Sequence, residues 1–410
     1  MKMGENKSKV PSVFYGVVSA RLISTFGTFL NMIALNIFIL EVTGSAFFLG
    51  VAFASRIIAA TFSSFYMGEL ADRYNRKFLM IASDIILAVF MLLLVFMPKA
   101  YLYPYLIFLM VLIGIFSSLF DISLQAAIPV IMNEKDVLKA NSIFAGGRNI
   151  VIAASGLCAV FARYLFNNYN SIFILDAATY ALSAVILLSL AFKTNAASGR
   201  PAPKLSFKNM INSYKEILTL PNAKIIYICM GILMLDAFAS ASHNLGWPVF
   251  SSEINPSSPM YYYGLILTFW AFGNLAGIYY LNKLSFLKKL RPDNLYIFFT
   301  AVMSFGMIMI FQTKITFIII VSSFIAGIGD GTYQTFYATY IQQVKDSLRG
   351  RVFALTNFVL KSGFGLGFVA VPFAIKAMSV KNVVFCFHFP VIVISIAYLV
   401  FRNLLAKNAK

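Results

Sequence analysis

Apolar residues in this chain come in long, nearly unbroken runs. They lack both the two-residue alternation of a half-buried strand and the single stripe of a soluble helix. The runs cover 13–40, 46–70, 78–97, 102–132, 141–166 and 170–192, then 223–250, 261–282, 294–312, 315–342, 352–378 and 381–402. A helix needs about 20 apolar residues to cross a bilayer, and a barrel strand would alternate over about ten. The pattern therefore predicts an all-α membrane protein with twelve transmembrane helices in two six-helix, pseudo-symmetric halves. The longest polar stretch, 193–222, contains Ser198-Gly199-Arg200-Pro201-Ala202-Pro203, which cannot continue a helix. It divides the chain into a first half (1–192), a linker (193–222) and a second half (223–410). Within the linker, 207–218 has the pattern of a short amphipathic surface helix.

Composition agrees with this pattern. Of 410 residues, 60% are hydrophobic and only 12% charged, too few charges to cover so much apolar surface in water. The net charge of +18 would suit nucleic acid if it formed one patch, but it does not. Most Lys and Arg fall in alternate connections, at the termini and in the linker, whereas the opposite connections hold only Lys99, Arg163, Lys314, Lys376 and Lys381. By the positive-inside rule both termini and the linker are cytoplasmic, the membrane is the inner or plasma membrane, and no nucleic-acid partner is expected. The three cysteines, Cys158, Cys229 and Cys386, lie in apolar runs at unrelated spacings and predict neither a metal site nor a disulfide framework. No cleavable signal peptide is readable.

Charges inside the spans point to function, because each costs from about 2.5 kcal/mol upward unless it faces protein or water. Asp121 with Gln125 in span 4 recurs as Asp330 with Gln334 in span 10, at the same offset, as internal duplication would produce. Arg21, Thr28 and Asn31 in span 1 and Ser240, His243 and Asn244 in span 7 extend further polar stripes at helical spacing, as do Gln334 and Tyr337 in span 10. Four such stripes would line one cavity. Two readings of the charges stay open. Asp121 with Arg148, and Asp330 with Lys361, could be structural ion pairs or a proton relay. Asp236 has only Arg56 or His243 as evident partners and is the better proton-carrier candidate. His388, near the end of span 12, reads as a packed residue.

The connection after span 2 reads Gly68-Glu69-Leu70-Ala71-Asp72-Arg73-Tyr74-Asn75-Arg76-Lys77. It resembles the signature loop of the major facilitator superfamily, Gly-x-Leu-Ala-Asp-Arg-x-Gly-Arg-Lys, at the family's own position. Asn75 stands at the inner glycine and suits a left-handed turn better than other side chains. The resemblance implies a gating latch of Gly68, Asp72, Arg73, Arg76 and Lys77. Asp72 would meet the start of span 11 near Arg351, and the basic groups would reach acids such as Asp84. Glu41-Val42-Thr43-Gly44-Ser45-Ala46, Ala82-Ser83-Asp84-Ile85 and Gly350-Arg351-Val352-Phe353 look like the drug-efflux branch that contains macrolide efflux proteins and the enterobactin exporter. The chain departs from many drug antiporters in two places. Ala154-Ser155-Gly156-Leu157 lacks their Gly-Pro, and no Arg lies near Ile113.

The resemblance implies a secondary active transporter that exports a bulky amphipathic small molecule (a drug, macrolide or siderophore-like compound) by alternating access. It implies a monomer that needs no cofactor and draws on the proton gradient. Uptake or flipping of a metabolite or lysolipid is the alternative, followed by a non-transporting receptor or scaffold. An enzyme is not expected: the chain has two histidines and no Walker A, His-Glu-x-x-His or Gly-x-Ser-x-Gly motif. Gly327-x-Gly329-x-Gly331 and Gly363-x-Gly365-x-Gly367 read as close helix packing.

Overall fold

The computed structural model describes residues 11–132, 137–166, 168–192, 194, 223–279, 284, 287–342, 344 and 346–408, some as backbone only. The linker therefore lies outside the described residues, apart from Thr194. So does the expected surface helix at 207–218. Among the described residues twelve long helices follow in order: α1 (Ser12–Thr43), α2 (Ala46–Arg73), α3 (Arg76–Val95), α4 (Leu102–Ile131), α5 (Val137–Val160), α6 (Tyr169–Ser189), α7 (Ala223–Ile254), α8 (Pro259–Tyr279), α9 (Pro292–Phe311), α10 (Thr316–Gln342), α11 (Asp346–Ala377) and α12 (Val380–Asn408). Each predicted span is one of these helices, and the described residues contain no strand. Only helices satisfy their own backbone across hydrocarbon without a closed barrel.

Eleven helical stretches among the described residues are long and apolar enough to cross a membrane. The remaining helix, α8, has 21 residues and is long enough, but Tyr261, Tyr262, Tyr263 and Asn274 dilute its apolarity. Span 5 ends earlier than predicted: α5 stops at Val160, and Ala162–Leu165 forms a separate short turn. Gly44, at φ +60°, ends α1 in the left-handed conformation that a side chain would strain. Its N–H closes on the Leu40 carbonyl at 2.8 Å. Asn75 is not left-handed, contrary to expectation. At φ −62° and ψ 115° it is the N-cap of α3, and its side chain accepts from the Lys77 N–H, the preferred chemistry of that position.

The chain forms two compact units. The first takes residues 1–32, 58–152 and 166–202. In it α3 packs against both α4 and α6. Phe14 and Val17 of α1, Met80 of α3, Phe120 and Leu124 of α4 and Leu187 of α6 share its core.

The second unit takes residues 33–57, 153–165 and 203–410. There α9 packs against α10 and α12, and α7 packs against α8, α11 and α12. The contacts α9–α10 and α9–α12 repeat α3–α4 and α3–α6 six helices on, which is what duplication predicts. Glycines set the closest approaches. A Cβ on Gly327 or Gly331 of α10 would strike the α8 carbonyls of Trp270 and Asn274, and one on Gly329 would lie 2.5 Å from Met303 N on α9. Gly363 and Gly367 of α11 meet the α7 carbonyls of Met234 and Phe238 in the same way. Gly327, Gly329, Gly331, Gly363 and Gly367 thus pack helices, as expected, whereas a Cβ on Gly365 would meet nothing within 4 Å.

The second unit also contains the end of α1, the start of α2 and the end of α5. Asn36 of α1 donates to the Tyr263 hydroxyl of α8 at 3.2 Å. Phe53 of α2 stacks on Phe368 of α11 with centroids 5.1 Å apart. Gly156 of α5 and Gly264 of α8 cross so closely that a Cβ on Gly264 would lie 2.5 Å from the Gly156 carbonyl oxygen. The two sequence halves thus interlock at these helix ends.

Candidate functional site

In the first unit, Arg21 Nη2 of α1 meets Asp121 Oδ1 of α4 at 2.5 Å, and the guanidinium lies 4.5 Å from the Phe120 ring centre. This corrects the expected Asp121–Arg148 pair: Arg148 instead lies over Phe29 of α1, at 5.6 Å. Depth along the spans suited either arginine, but α1 brings Arg21 to the polar side of α4. Arg21 is mostly buried, with 12% of its side chain exposed, and Asp121 is half exposed at 47%. Thr28 shares a 2.8 Å hydrogen bond with Tyr180 of α6. Asn31 donates to Met91 Sδ at 3.6 Å, and Gln125 is exposed. Asp84 and Asp176 are buried, with Ser183 beside the Asp84 carboxyl and Asn31 and Thr179 beside that of Asp176.

The signature loop acts on this unit's backbone. Arg76 Nε donates to the Ala71 carbonyl at 3.1 Å and Nη1 to the Ala126 carbonyl at 2.9 Å, while Asp72 stands 3.9 Å away. Lys77 Nζ donates to the Leu188 and Leu190 carbonyls, at 3.2 and 2.7 Å. Those carbonyls lie at the C-terminus of α6, where acceptors lack helical partners and the helix dipole favours a cation. Arg73 pairs with Glu69. None of the three reaches Asp84, so that expected bridge is corrected: Asp84 lies two turns farther along α3. A Cβ on Gly68 would meet nothing within 4 Å. The Arg351 side chain, near which Asp72 was expected to dock, lies outside the described residues.

The second unit holds two polar sets. In one, Asp330 of α10 accepts from Asn274 Nδ2 of α8 at 2.5 Å and from Gln334 one turn on at 2.9 Å. Asp236 of α7 is 2% exposed, lies near enough to Asp330 and Tyr333 to interact, and leaves Oδ1 without a hydrogen bond. Tyr337 shares a 2.8 Å hydrogen bond with Thr356 of α11. Lys361 is half-buried on α11. The two Asp-x-x-x-Gln repeats have diverged: one aspartate takes an arginine, the other an asparagine and its own glutamine.

The other set is a hydrogen-bonded chain. His243 Nδ1 of α7 lies 3.0 Å from His388 Nε2 of α12, and His388 Nδ1 lies 3.0 Å from Ser304 Oγ of α9. Asn244 Nδ2 lies 2.8 Å from the Ser240 carbonyl and 3.1 Å from His243 Nε2. The carbonyl can only accept, which fixes the amide with its N–H groups toward both partners. His243 Nε2 is then an acceptor, so Nδ1 carries the proton toward His388. His388 Nε2 accepts in turn, and its Nδ1–H donates to Ser304. Both rings are neutral and share one tautomer, and donation runs one way from Asn244 to Ser304. His243 is thereby engaged by His388 and Asn244 rather than by Asp236.

Sequence reasoning missed Asn274 and Ser304 as members of these sets and assigned His388 to packing. Each is a polar residue within an apolar run. That was the available signal, but the run does not reveal which neighbours it faces.

An all-helical bundle with charged and amide groups held inside its spans defines a multi-pass membrane transporter. The chain belongs to the Major Facilitator Superfamily, which it matches over residues 17–368. The staphyloferrin A transporter of Staphylococcus aureus (strain NCTC 8325 / PS 47) is 22% identical over 340 residues, covering 82% of this chain and 83% of that protein. Among solved structures, the nucleoside transporter NupG has a TM-score of 0.68 at 13% identity, covering 95% of this chain and 99% of that one. A POT family transporter in complex with 5-aminolevulinic acid has a TM-score of 0.71 at 15% identity, covering 95% and 96%. A bacterial homolog of the human lysosomal transporter Spinster has a TM-score of 0.64 at 15% identity, covering 96% and 95%. At these identities the structural likeness is one of fold.

Proposed function

We propose that this transporter exports a bulky, amphipathic, siderophore-like small molecule by alternating access, using the proton gradient. The observation that carries the reading is the pair of polar sets held within the spans, Arg21–Asp121 in one unit and Asp236 with Asp330–Asn274–Gln334 in the other. Charges at such depth are costly and in membrane proteins usually serve a substrate or ion path. In each unit the polar groups within the spans would orient polar groups of the substrate, and the Phe- and Met-rich surroundings would take its apolar body. Asp236, buried with an unbonded oxygen, is the leading proton carrier, and Asp121 and Asp330 are the other candidates. Similarity to a staphyloferrin A transporter supports the siderophore class.

The interlocked ends of α1, α2 and α5 with α7, α8 and α11 support alternating access, since transport requires such a closure to form and release. We place both termini and the linker in the cytoplasm on the distribution of Lys and Arg, which puts the interlocked ends on the outer face. The protein would work as a monomer in the cell membrane.

The test is proton flux in proteoliposomes with candidate siderophores, wild type against Asp236→Asn. Substrate-dependent proton movement in the wild type, abolished by Asp236→Asn with substrate binding retained, is expected. Equal flux in both would remove Asp236 from the mechanism, and substrate accumulation on the uptake side would reverse the direction.

A further inference from the structure

The charged residues within the first unit's spans differ in what they present to a ligand. Asp84 and Asp176 are 1% and 0% exposed. Asp121 is half exposed, but it closes on Arg21 at 2.5 Å. Arg148, well inside the apolar stretch Ala140–Val160 of α5, is exposed. Exposure within a span can mean lipid or water, and the pattern along α5 decides between them. Ile150, Ala154, Leu157 and Phe161 are exposed and recur at helical spacing, one continuous apolar face suited to hydrocarbon. Asn141, Ala145 and Arg148 are exposed at the same spacing on another face. At about 100° per residue, Ile150 lies about 200° round the helix from Arg148, so the two faces are opposed. An exposed cation on the face turned away from lipid borders water.

Two contacts hold Arg148 in place. Beside it in sequence, Gly147 lies against α1: a Cβ there would sit 2.8 Å from Leu22 Cδ1. Farther along α1, Phe29 receives the guanidinium over its ring, 5.6 Å from the centre. A ring engages the face of a guanidinium, whereas the five N–H donors lie in its plane. That planar fork matches the two oxygens of a carboxylate or a phosphate, and it stays charged throughout the physiological range. Anchoring on a ring also reduces the freedom the side chain must give up when it binds.

We propose that Arg148, positioned by Phe29, anchors an oxyanion group of the transported molecule, a carboxylate or a phosphate, on the water-facing side of α5. The word transported rests on the function proposed above; the subsite itself does not. Asp121 cannot serve this purpose, since it repels an anion, and Arg21 is engaged by Asp121. The substrate would then be an amphipathic anion, with its charged end on Arg148 and its apolar body against neighbouring aromatic groups.

The experiment measures the thermal unfolding midpoint of the purified full-length protein in neutral detergent at constant ionic strength. The probes share a naphthalene body and differ in head group: naphthoate, naphthyl phosphate, naphthamide and naphthylmethylammonium. The wild-type midpoint is expected to rise saturably with naphthoate, naphthyl phosphate or both, as ligand linkage requires, and with neither of the other two. The anion that saturates at the lower concentration identifies which oxyanion is preferred. Arg148→Gln should abolish the response. Arg148→Lys keeps the charge but loses the fork, and should raise half-saturation about tenfold, the scale of one charge-assisted hydrogen bond. Phe29→Leu leaves the arginine without its ring and should weaken anion binding while preserving the preference for anions. These two milder variants keep the test decisive if Arg148→Gln fails to fold. Three results overturn the proposal: no saturable response of the wild type to either anion, equal anion responses in the wild type and every folded Arg148 variant, or an equal response to naphthamide. Failure of the transport reading would look different. Absent proton flux in proteoliposomes, with anion binding still dependent on Arg148, leaves the subsite standing. Flux that persists in Arg148→Gln, with binding indifferent to head group, removes the subsite alone.

Discussion

Replacing His388 by leucine tests whether the two-histidine chain is a single cooperative unit. The ring accepts from His243 and donates to Ser304 at 3.0 Å each, and the residue has no exposed surface. Leucine fills much of the volume but leaves His243 Nδ1–H buried without an acceptor, at a cost of about 1–3 kcal/mol. The other tautomer gives no relief, because it sets His243 Nε2–H against the Asn244 N–H. Losing the bond to Ser304 adds about 1 kcal/mol. The expected total is about 2–4 kcal/mol. Glutamine should recover about half of it, since its terminal group reaches the place of Nε2 and accepts from His243 but cannot also donate to Ser304. The assay is denaturation in detergent followed by tryptophan fluorescence. Only two tryptophans are present, and Trp247 lies 4.9 Å from the His243 ring. Because the partners share one bond, His243→Leu and His388→Leu should be non-additive by about 1–2 kcal/mol. Additivity within about 0.5 kcal/mol, or a glutamine variant no better than leucine, would refute the hydrogen-bond order derived above.

Three further outcomes follow from the packing and ion pairs. Gly264→Ala should lower stability by about 1–3 kcal/mol, because its methyl would lie 2.5 Å from the Gly156 carbonyl; an unchanged unfolding midpoint would contradict the close crossing. Lys77→Met, which keeps the stem but loses both bonds to the end of α6, should cost about 1 kcal/mol, with faster amide exchange at residues 186–190. Asp121→Asn should cost about 1 kcal/mol, since the pair is half solvated, whereas Arg148→Met should leave Arg21–Asp121 intact; a double-mutant cycle of Asp121 with each arginine separates the two.

Twelve helices were legible because a span must be apolar along its whole length, and that constraint acts on sequence directly. Helix neighbours were legible only where a glycine pattern marked a close approach, as on α10 and α11. Ion pairs were not. Arg21 and Arg148 both suited Asp121 by depth, and the rotation of α1 about its axis, which no single span encodes, decided for Arg21. Depth likewise allowed Asp330 to pair with Lys361, whereas Asn274, one amide in an apolar helix, makes the contact. Asp84 was read with the signature loop because it is near in sequence, yet two helical turns carry it to Asp176. Asn75 shows the limit of residue-type reasoning: asparagine suits both a left-handed turn and an N-cap, and α3 begins there.

The hydrogen bonds of Arg76 and Lys77 go to backbone carbonyls, with the Asp72 carboxylate farther from Arg76 at 3.9 Å, and a carbonyl has no protonation step in the physiological range. The bonds from the α2–α3 turn to the α4 and α6 carbonyls therefore lack the acceptor protonation step that a latch of paired side chains would have. They are also weakened little by salt where they are buried. The first unit thereby has one joint between α3, α4 and α6 held by acceptors that acid does not protonate.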